Sequence, residues 1–432
     1  MNGPQYEKFN QKDLDTVLKK HEMFRKGLRG GIRANLKFKD LSGLDFRAFN
    51  LEGADFTGSI LRGANLSGGV YEGVSFFACD LRNANLERAV FKRADFRGAY
   101  VAGANLTGAD LESADMREGR IMESGEDGTM SQMNLGKERS KGRTNFAGAK
   151  MTETNLSGSR ASDADFSEAD LTGVIINDAD LRGVNFTGAN LTNADFSGCD
   201  LRNANLKESI NEGVKLTAAE TDGAAFDAHK QQKKMDDVLE EQGLTIKDML
   251  EGHAEWITSK GGKGNQLDIS NIDMRETKSL KDYPLTAIRA IDANFVKMDL
   301  AGCEMQFCQF DKSDFRDTNL SESDLRGSRF IEARLNRANL ENANLSPLKF
   351  STPDGGSRLE RVNLSGANLK YANLRGANLR DCVLMGTDLS NADLSGADLT
   401  RADLTGANIE NINLKNATTD KAVFDKTGIA SG

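Results

Sequence analysis

Apolar side chains recur along this chain in a five-position period, neither the 3.6 of a helix nor the two of a strand. The stretches GADFT, GANLS, NANLE and RADFR show the unit: a Leu or Phe at the centre, a small residue two positions earlier, and polar residues around them. From Leu36 to Met116 a centre falls in every pentad without a slip, giving 17 pentads. Further runs extend from Phe146 to Leu216 (15 pentads), Leu285 to Phe350 (14) and Leu359 to Leu414 (12). Such periodicity over two-thirds of a chain predicts a solenoid rather than one broad core.

Two stretches have helical spacing instead. Leu14, Val17, Leu18, His21 and Phe24 lie at i, i+3, i+4, i+7 and i+10. Ile246, Met249, Leu250, His253 and Trp256 repeat that spacing, each at the same offset from its counterpart. Each set forms an apolar stripe, is followed by a Gly-rich turn (Gly30-Gly31; Gly261-Gly262 and Gly264) and then enters pentads. The pattern predicts a duplicated module of helix then coil. An open coil end exposes unpaired strand groups, so solenoids need caps, and His21, Phe24, His253 and Trp256 are expected as packing residues of two capping helices.

The A(D/N)LXX pattern resembles the pentapeptide-repeat family. The resemblance implies a right-handed quadrilateral β-helix, each pentad forming one side of a square coil and four pentads completing it. The sequence tests that number independently, because centres four pentads apart should then stack. Phe56, Phe76 and Phe96 have this spacing, as do Phe146, Phe166 and Phe186 (with Phe226 further on), Phe310, Phe330 and Phe350, and Phe295 and Phe315. The expected architecture is an all-β solenoid of two right-handed quadrilateral β-helices, each preceded by a capping α-helix. Its expected parts are a cap at 1–35, a first β-helix at 36–226 with a loop at 117–145, a helical linker and second cap at 227–268, and a second β-helix at 269–432 with a loop at 351–358. Between Met274 and Leu285 the frame slips by one position, which predicts an irregular stretch.

Composition fits this picture. Only 38% of the 432 residues are hydrophobic, too few for a globular core but enough for a column fed by two positions in five. The 43 Gly and 4 Pro suit tight corners that keep their backbone donors. All five cysteines (79, 199, 303, 308 and 382) occupy the small inward position and read as buried hydrophobes, not metal ligands or disulfides. With three His and no GxxxxGK[ST] loop, the chain carries no nucleophile–base constellation and no phosphate cradle. Asp and Asn alternate before the centres, which points to backbone-bonding turns rather than acid catalysis. The expectation is a non-enzyme without cofactor or metal. No apolar run reaches the roughly 18 residues of a membrane span and the start lacks an apolar leader core, so the reading is a cytoplasmic chain.

Charge separates the binding hypotheses. Residues 146–226 hold 6 basic and 13 acidic residues, net −7, whereas the other coil segments are each near −1. Residues 1–35 are the one net-basic region (8 basic, 4 acidic), with Lys19, Lys20, Arg25, Lys26, Arg29 and Arg33 read as a solvated helix face, so direct nucleic-acid binding is disfavoured. The leading expectation is a rigid protein-interaction scaffold with a partner of unknown identity. Some members of the family resembled bind type II topoisomerases as acidic rods that mimic DNA. That resemblance supplies the alternative, a gyrase-binding protein that protects or inhibits the enzyme. Candidate partner-binding residues are Asp163, Asp165, Asp170, Asp178, Asp180, Asp195 and Asp200 in the acidic run and Glu126 and Asp127 in the long loop. C-terminal ends in the family often form dimers, which makes Phe424 a dimer-contact candidate.

Overall fold

A computed structural model describes residues 6–124, 130–135, 141–226, 232–277, 280–281, 283–351 and 356–425. The chain divides into two compact units, Met1–Ala228 and His229–Gly432.

In the first unit, parallel bridges join positions four pentads apart, from Asn35–Asp55 to Asp95–Asp115 and from Asn145–Asp165 to Asn205–Ala225, so four pentads complete each coil of a right-handed β-helix. The N–H of each centre donates to a carbonyl of the next coil, as Leu36 does to Asp55 at 2.7 Å and Leu86 to Asn105 at 2.7 Å. Backbone groups thus find partners between coils, which is why proline is scarce along the runs. The position two after the centre turns the corner with positive φ. Glycine often fills it, as at Gly63 (φ 62), but so do Asn83 (φ 55), Arg93 (φ 55) and many other non-glycine residues. The regular coil makes each such corner bear a conformation that costs an L-residue roughly 1–2 kcal/mol.

Centres and small residues are both buried and form a thin column. Phe56, Phe76 and Phe96 stack with ring centroids 5.0 and 5.1 Å apart, and Tyr71 stacks on Phe91 at 5.1 Å. Phe146, Phe166 and Phe186 continue at 5.0 and 5.5 Å, but in a different column. The reason lies in the insertion after Met116, which makes Tyr100 bridge Asn145. The added length is five whole pentads, so the phase is preserved. A coil has only four, so the numbering of the sides rotates by one. Phe226, at the last described position of this column, is 41% exposed rather than interior.

The insertion is more than the expected loop. Met122–Ser124 (β3) and Met130–Gln132 (β4) pair antiparallel as a hairpin. Its base is fixed to the coil. Thr144 Oγ1 accepts from Gly98 N–H at 2.8 Å and lies 2.8 Å from the Arg117 carbonyl. A Cβ on Gly98 would meet the Gly119 carbonyl at 2.1 Å, so only glycine fits there.

In the second unit, Asp268 bridges Arg289 and Asp273 bridges Asn294, one position more than four pentads, which places the frame slip in its first coil. Bridges from Arg289–Gln309 to Asp324–Asn344, and again from Asn363–Val383, return to four pentads. Leu280 is the buried centre after Met274, one position late. Phe295 stacks on Phe315 at 4.7 Å and Phe310 meets Phe330 at 5.0 Å. Two assignments change. Phe350 and Leu359, in phase with the runs, are not centres. They lie in the antiparallel hairpin Leu348–Ser351 (β7) with Ser357–Glu360 (β8), and Leu359 is 60% exposed. Arg329 bridges Asn363 across this hairpin, so Leu364 takes the place above Phe330. Phe350 packs edge-on against Phe307 of the coil at 5.1 Å, outside the column. Sequence phase cannot distinguish a coil from an insertion that keeps apolar side chains at the same interval.

Each unit begins alike. Glu7–Lys8 (β1) pairs parallel with Lys39–Asp40 (β2) of the first coil, and Lys233–Lys234 (β5) pairs with Ile272–Asp273 (β6). Helix α1 (Gln11–Arg25) starts at an Asn10–Asp13 capping box and α3 (Ile246–Thr258) at a Thr245–Asp248 box. A further helix, α2 (Met235–Gln242), stands between β5 and α3. Leu14 and Leu18 join the first core and Leu250 the second.

Candidate partner-binding surfaces

The outward residue before each centre is commonly Asp or Asn, and its side chain accepts the N–H two positions later. Asp165 accepts from Ser167 (3.0 Å), Asp170 from Thr172 (3.2 Å) and Asp195 from Ser197 (3.1 Å). Asp180 and Asp200 do the same with Arg182 and Arg202 and also take their guanidinium groups at 2.6–2.9 Å. These arginines hold both carboxyls below the usual carboxylate range, with the side-chain hydrogen bond the largest cause. Asp163 (φ 61) and Asp178 (φ 56) do not belong to this set; they occupy left-handed corners.

The coil register also disperses these acids. Asp163, Asp180 and Asp200 lie on the side of the Phe76 column, Asp165 on that of Phe166, Asp170 on that of Leu171, and Asp178 and Asp195 on that of Phe196. All four sides carry some of them, and no side carries all. On the Phe76 side the acids are interleaved with cations: Arg97 pairs with Asp95 at 2.8 Å, Arg117 with Asp115 at 2.7 Å, and Arg182 bridges Asp180 and Asp200 at 2.8 and 3.5 Å. Arg202 extends the series to Glu220 at 3.3 Å. The net −7 of this run therefore does not make one acidic face. Glu126 and Asp127 lie outside the described residues.

At the two helix–coil junctions the imidazoles play matching parts. His21 Nδ1 accepts the Ala34 N–H at 3.0 Å, and His253 Nδ1 accepts the Leu267 N–H at 3.0 Å. Each acceptor must be unprotonated, and burial lowers both histidines below their ordinary value. His253 Nε2 reaches the Thr286 carbonyl at 3.0 Å, whereas His21 Nε2 has no partner. Trp256 lies flat on His253 (5.8 Å), and Phe24 sits 5.9 Å from His21. Phe24 is tilted by 31° to the imidazole and 46% exposed.

All five cysteines are buried and free. Burial pushes the Cys199 and Cys303 thiols up to about 11 and Cys308 and Cys382 up to about 12. Among the described residues no group of His, Cys, Asp or Glu is arranged to hold a metal ion, and no helix is long and apolar enough to cross a membrane. Phe424 lies in β10 (Val423–Phe424), which pairs with β9 (Asp403–Leu404); it is a partly buried centre of the last described coil. Sequence reading missed the exposed apolar side chains of the first hairpin, Met122 (48%) and Met130 (62%). The methionines of MESGEDGTMSQM were the available signal.

A family model for the pentapeptide repeat region matches residues 142–226, and one for pentapeptide repeats matches in six stretches between 32 and 418. The chain belongs to the pentapeptide-repeat family. Similar solved members of that family include HetL, involved in heterocyst differentiation regulation in the cyanobacterium Nostoc sp. strain PCC 7120. It shares 19% identity over 93% of this chain and 97% of its own, with a TM-score of 0.14. A pentapeptide-repeat protein of the Arabidopsis thaliana thylakoid lumen shares 28% over 38% and 68%, TM-score 0.14. QnrB1, a plasmid-mediated fluoroquinolone resistance protein, shares 19% over 49% and 99%, TM-score 0.23. No curated protein matches this pentapeptide-repeat chain in sequence.

Proposed function

We propose that this pentapeptide-repeat protein is a non-catalytic, cytoplasmic binding scaffold, built as two related β-helix modules whose N-terminal helices act as caps. The carrying observation is the pair of hairpins. One follows Met116, the seventeenth centre of its unit. The other follows Leu345, the sixteenth counted from Ile269, so the two leave their coils at nearly the same station. Neither is needed to continue the coil, yet both are anchored to it, by Thr144 and by the Phe307–Phe350 contact. Rigid coils that carry seated hairpins suit the presentation of adaptable contacts to a protein partner.

Affinity capture from cell extract, with full-length chain against variants lacking 120–141 or 348–360, tests this reading. Loss of specific partners from a variant that keeps its coil circular dichroism supports it; an unchanged set of partners overturns it. The DNA-mimic reading is favoured by the −7 run alone and opposed by its dispersal over four sides. A gyrase supercoiling assay with and without quinolone decides it, since neither inhibition nor protection at micromolar protein removes it. Dimerisation through the last coil would be lost in Phe424→Asp, read by light scattering.

A further inference from the structure

The turn after α1 carries apolar side chains that its own unit does not use. Residues 27–33 read GLRGGIR, and Leu28 and Ile32 are 54% and 57% exposed beside the half-exposed Phe24. Three large exposed apolar groups within nine residues of sequence ask for a partner. The second unit shows that the turn does not need them to fold. Its matching stretch, 260–266, reads KGGKGNQ, without an apolar side chain. Both turns dock alike: Ile32 N–H donates to the Lys20 carbonyl at 3.0 Å, and Asn265 N–H to the Gly252 carbonyl at 3.2 Å. Both also press a glycine onto the helix, where a Cβ on Gly31 would meet Phe24 N at 2.2 Å and one on Gly264 the Gly252 carbonyl at 2.1 Å.

Cations stand among these apolar groups. Arg25, Lys26, Arg29 and Arg33 are exposed, and Lys19 and Lys20 lie on the exposed part of α1. Arg25 and Lys26 keep only solvent-exposed pairs with Glu52 (3.6 Å) and Glu22 (2.6 Å). The turn faces solvent along its length: residues 24–30, 32 and 33 are all exposed. An acidic peptide would want a groove, whereas an exposed turn that alternates Leu, Ile and Arg suits a deformable surface with an apolar interior and anionic headgroups. We propose that the 24–33 turn of the first unit is a peripheral docking site for an anionic lipid surface, with Leu28 and Ile32 entering the acyl boundary and Arg25, Lys26, Arg29 and Arg33 meeting the headgroups.

Co-sedimentation of the full chain with vesicles tests this. Pelleting is expected with phosphatidylcholine containing about 30% phosphatidylserine, but not with phosphatidylcholine alone, and is expected to weaken as salt screens the cations. Lys26→Ala and Arg29→Ala should each weaken binding about fivefold, and Leu28→Ser and Ile32→Ser about tenfold each. Because these side chains are exposed, thermal unfolding of the variants should match the parent. Absence of pelleting with the anionic vesicles overturns the proposal, as does pelleting that survives the Leu28→Ser/Ile32→Ser double variant. Binding of a soluble Glu/Leu peptide through the same residues, without vesicle binding, also overturns it and assigns the turn to a protein partner.

Discussion

At the start of each unit, a helix lays a leucine and a histidine against the first coil, and the imidazole takes one backbone N–H, from Ala34 in one unit and Leu267 in the other. Around that shared contact the two junctions diverge. His253 has the Thr286 carbonyl for its second nitrogen and Trp256 flat on its ring. His21 has no partner for its second nitrogen, a half-exposed Phe24 at its side, and Arg25, Arg33 and Glu52 acting on it. The N–H acceptor is retained because an unmet buried donor is costly. The ring's other neighbours vary because the coil closes around either arrangement.

The largest effects should come from the columns, and they test whether the units unfold separately. Phe76→Ala removes a ring stacked on both sides and should cost the first unit about 3–5 kcal/mol; Leu384→Ala should cost the second about 2–5 kcal/mol. The single Trp, Trp256, reports on the second unit alone. In denaturant, Phe76→Ala should shift the circular dichroism while the Trp256 transition stays in place; joint movement would show that the units unfold together.

Replacing either junction histidine by Phe leaves a buried N–H unmet, at about 1–3 kcal/mol. Acid should reproduce part of this loss. Both histidines titrate below their ordinary value when folded, so as pH falls the unfolded chain takes up protons first. Stability is therefore greatest above about pH 6.5 and falls below it, by at most about 1.4 kcal/mol per pH unit for each histidine. The same melts from about pH 7.5 to about pH 5 should be flatter in His21→Phe at the first unit's transition and in His253→Phe at the second's. An unchanged slope would mean that each imidazole takes up protons equally in the folded and unfolded chain.

Corners give a smaller contrast. Gly63→Ala meets no atom within 4 Å and should cost only its positive φ, roughly 1–2 kcal/mol. Gly98→Ala meets the Gly119 carbonyl and should cost clearly more by calorimetry, loosening the base of the first hairpin. Equal costs would mean that the hairpin base is not seated on the coil. The ion-pair series ranks last. Arg182→Ala should lose little, and less still in high salt, because Arg182 is solvent-exposed. A larger loss would show that the series acts as one network.

Much of the coil was legible because its rule is local. Which side chains turn inward is decided within one pentad, so the ladder of Phe56, Phe76 and Phe96, the buried cysteines and the frame slip after Met274 could be read in advance. Errors came where phase continued without coil, at Phe350 and Leu359. The candidate surface was less legible. Asp163 and Asp180 share a side with Arg182, while Asp165 and Asp170 face elsewhere, and nothing within a pentad encodes this. By itself the sequence determined the repeat and the inward positions, since these follow from spacing and side-chain size. The tertiary structure alone decided which carboxylates become neighbours, because coil closure after four pentads and the lengths of the two hairpin insertions set the side on which each outward residue lies.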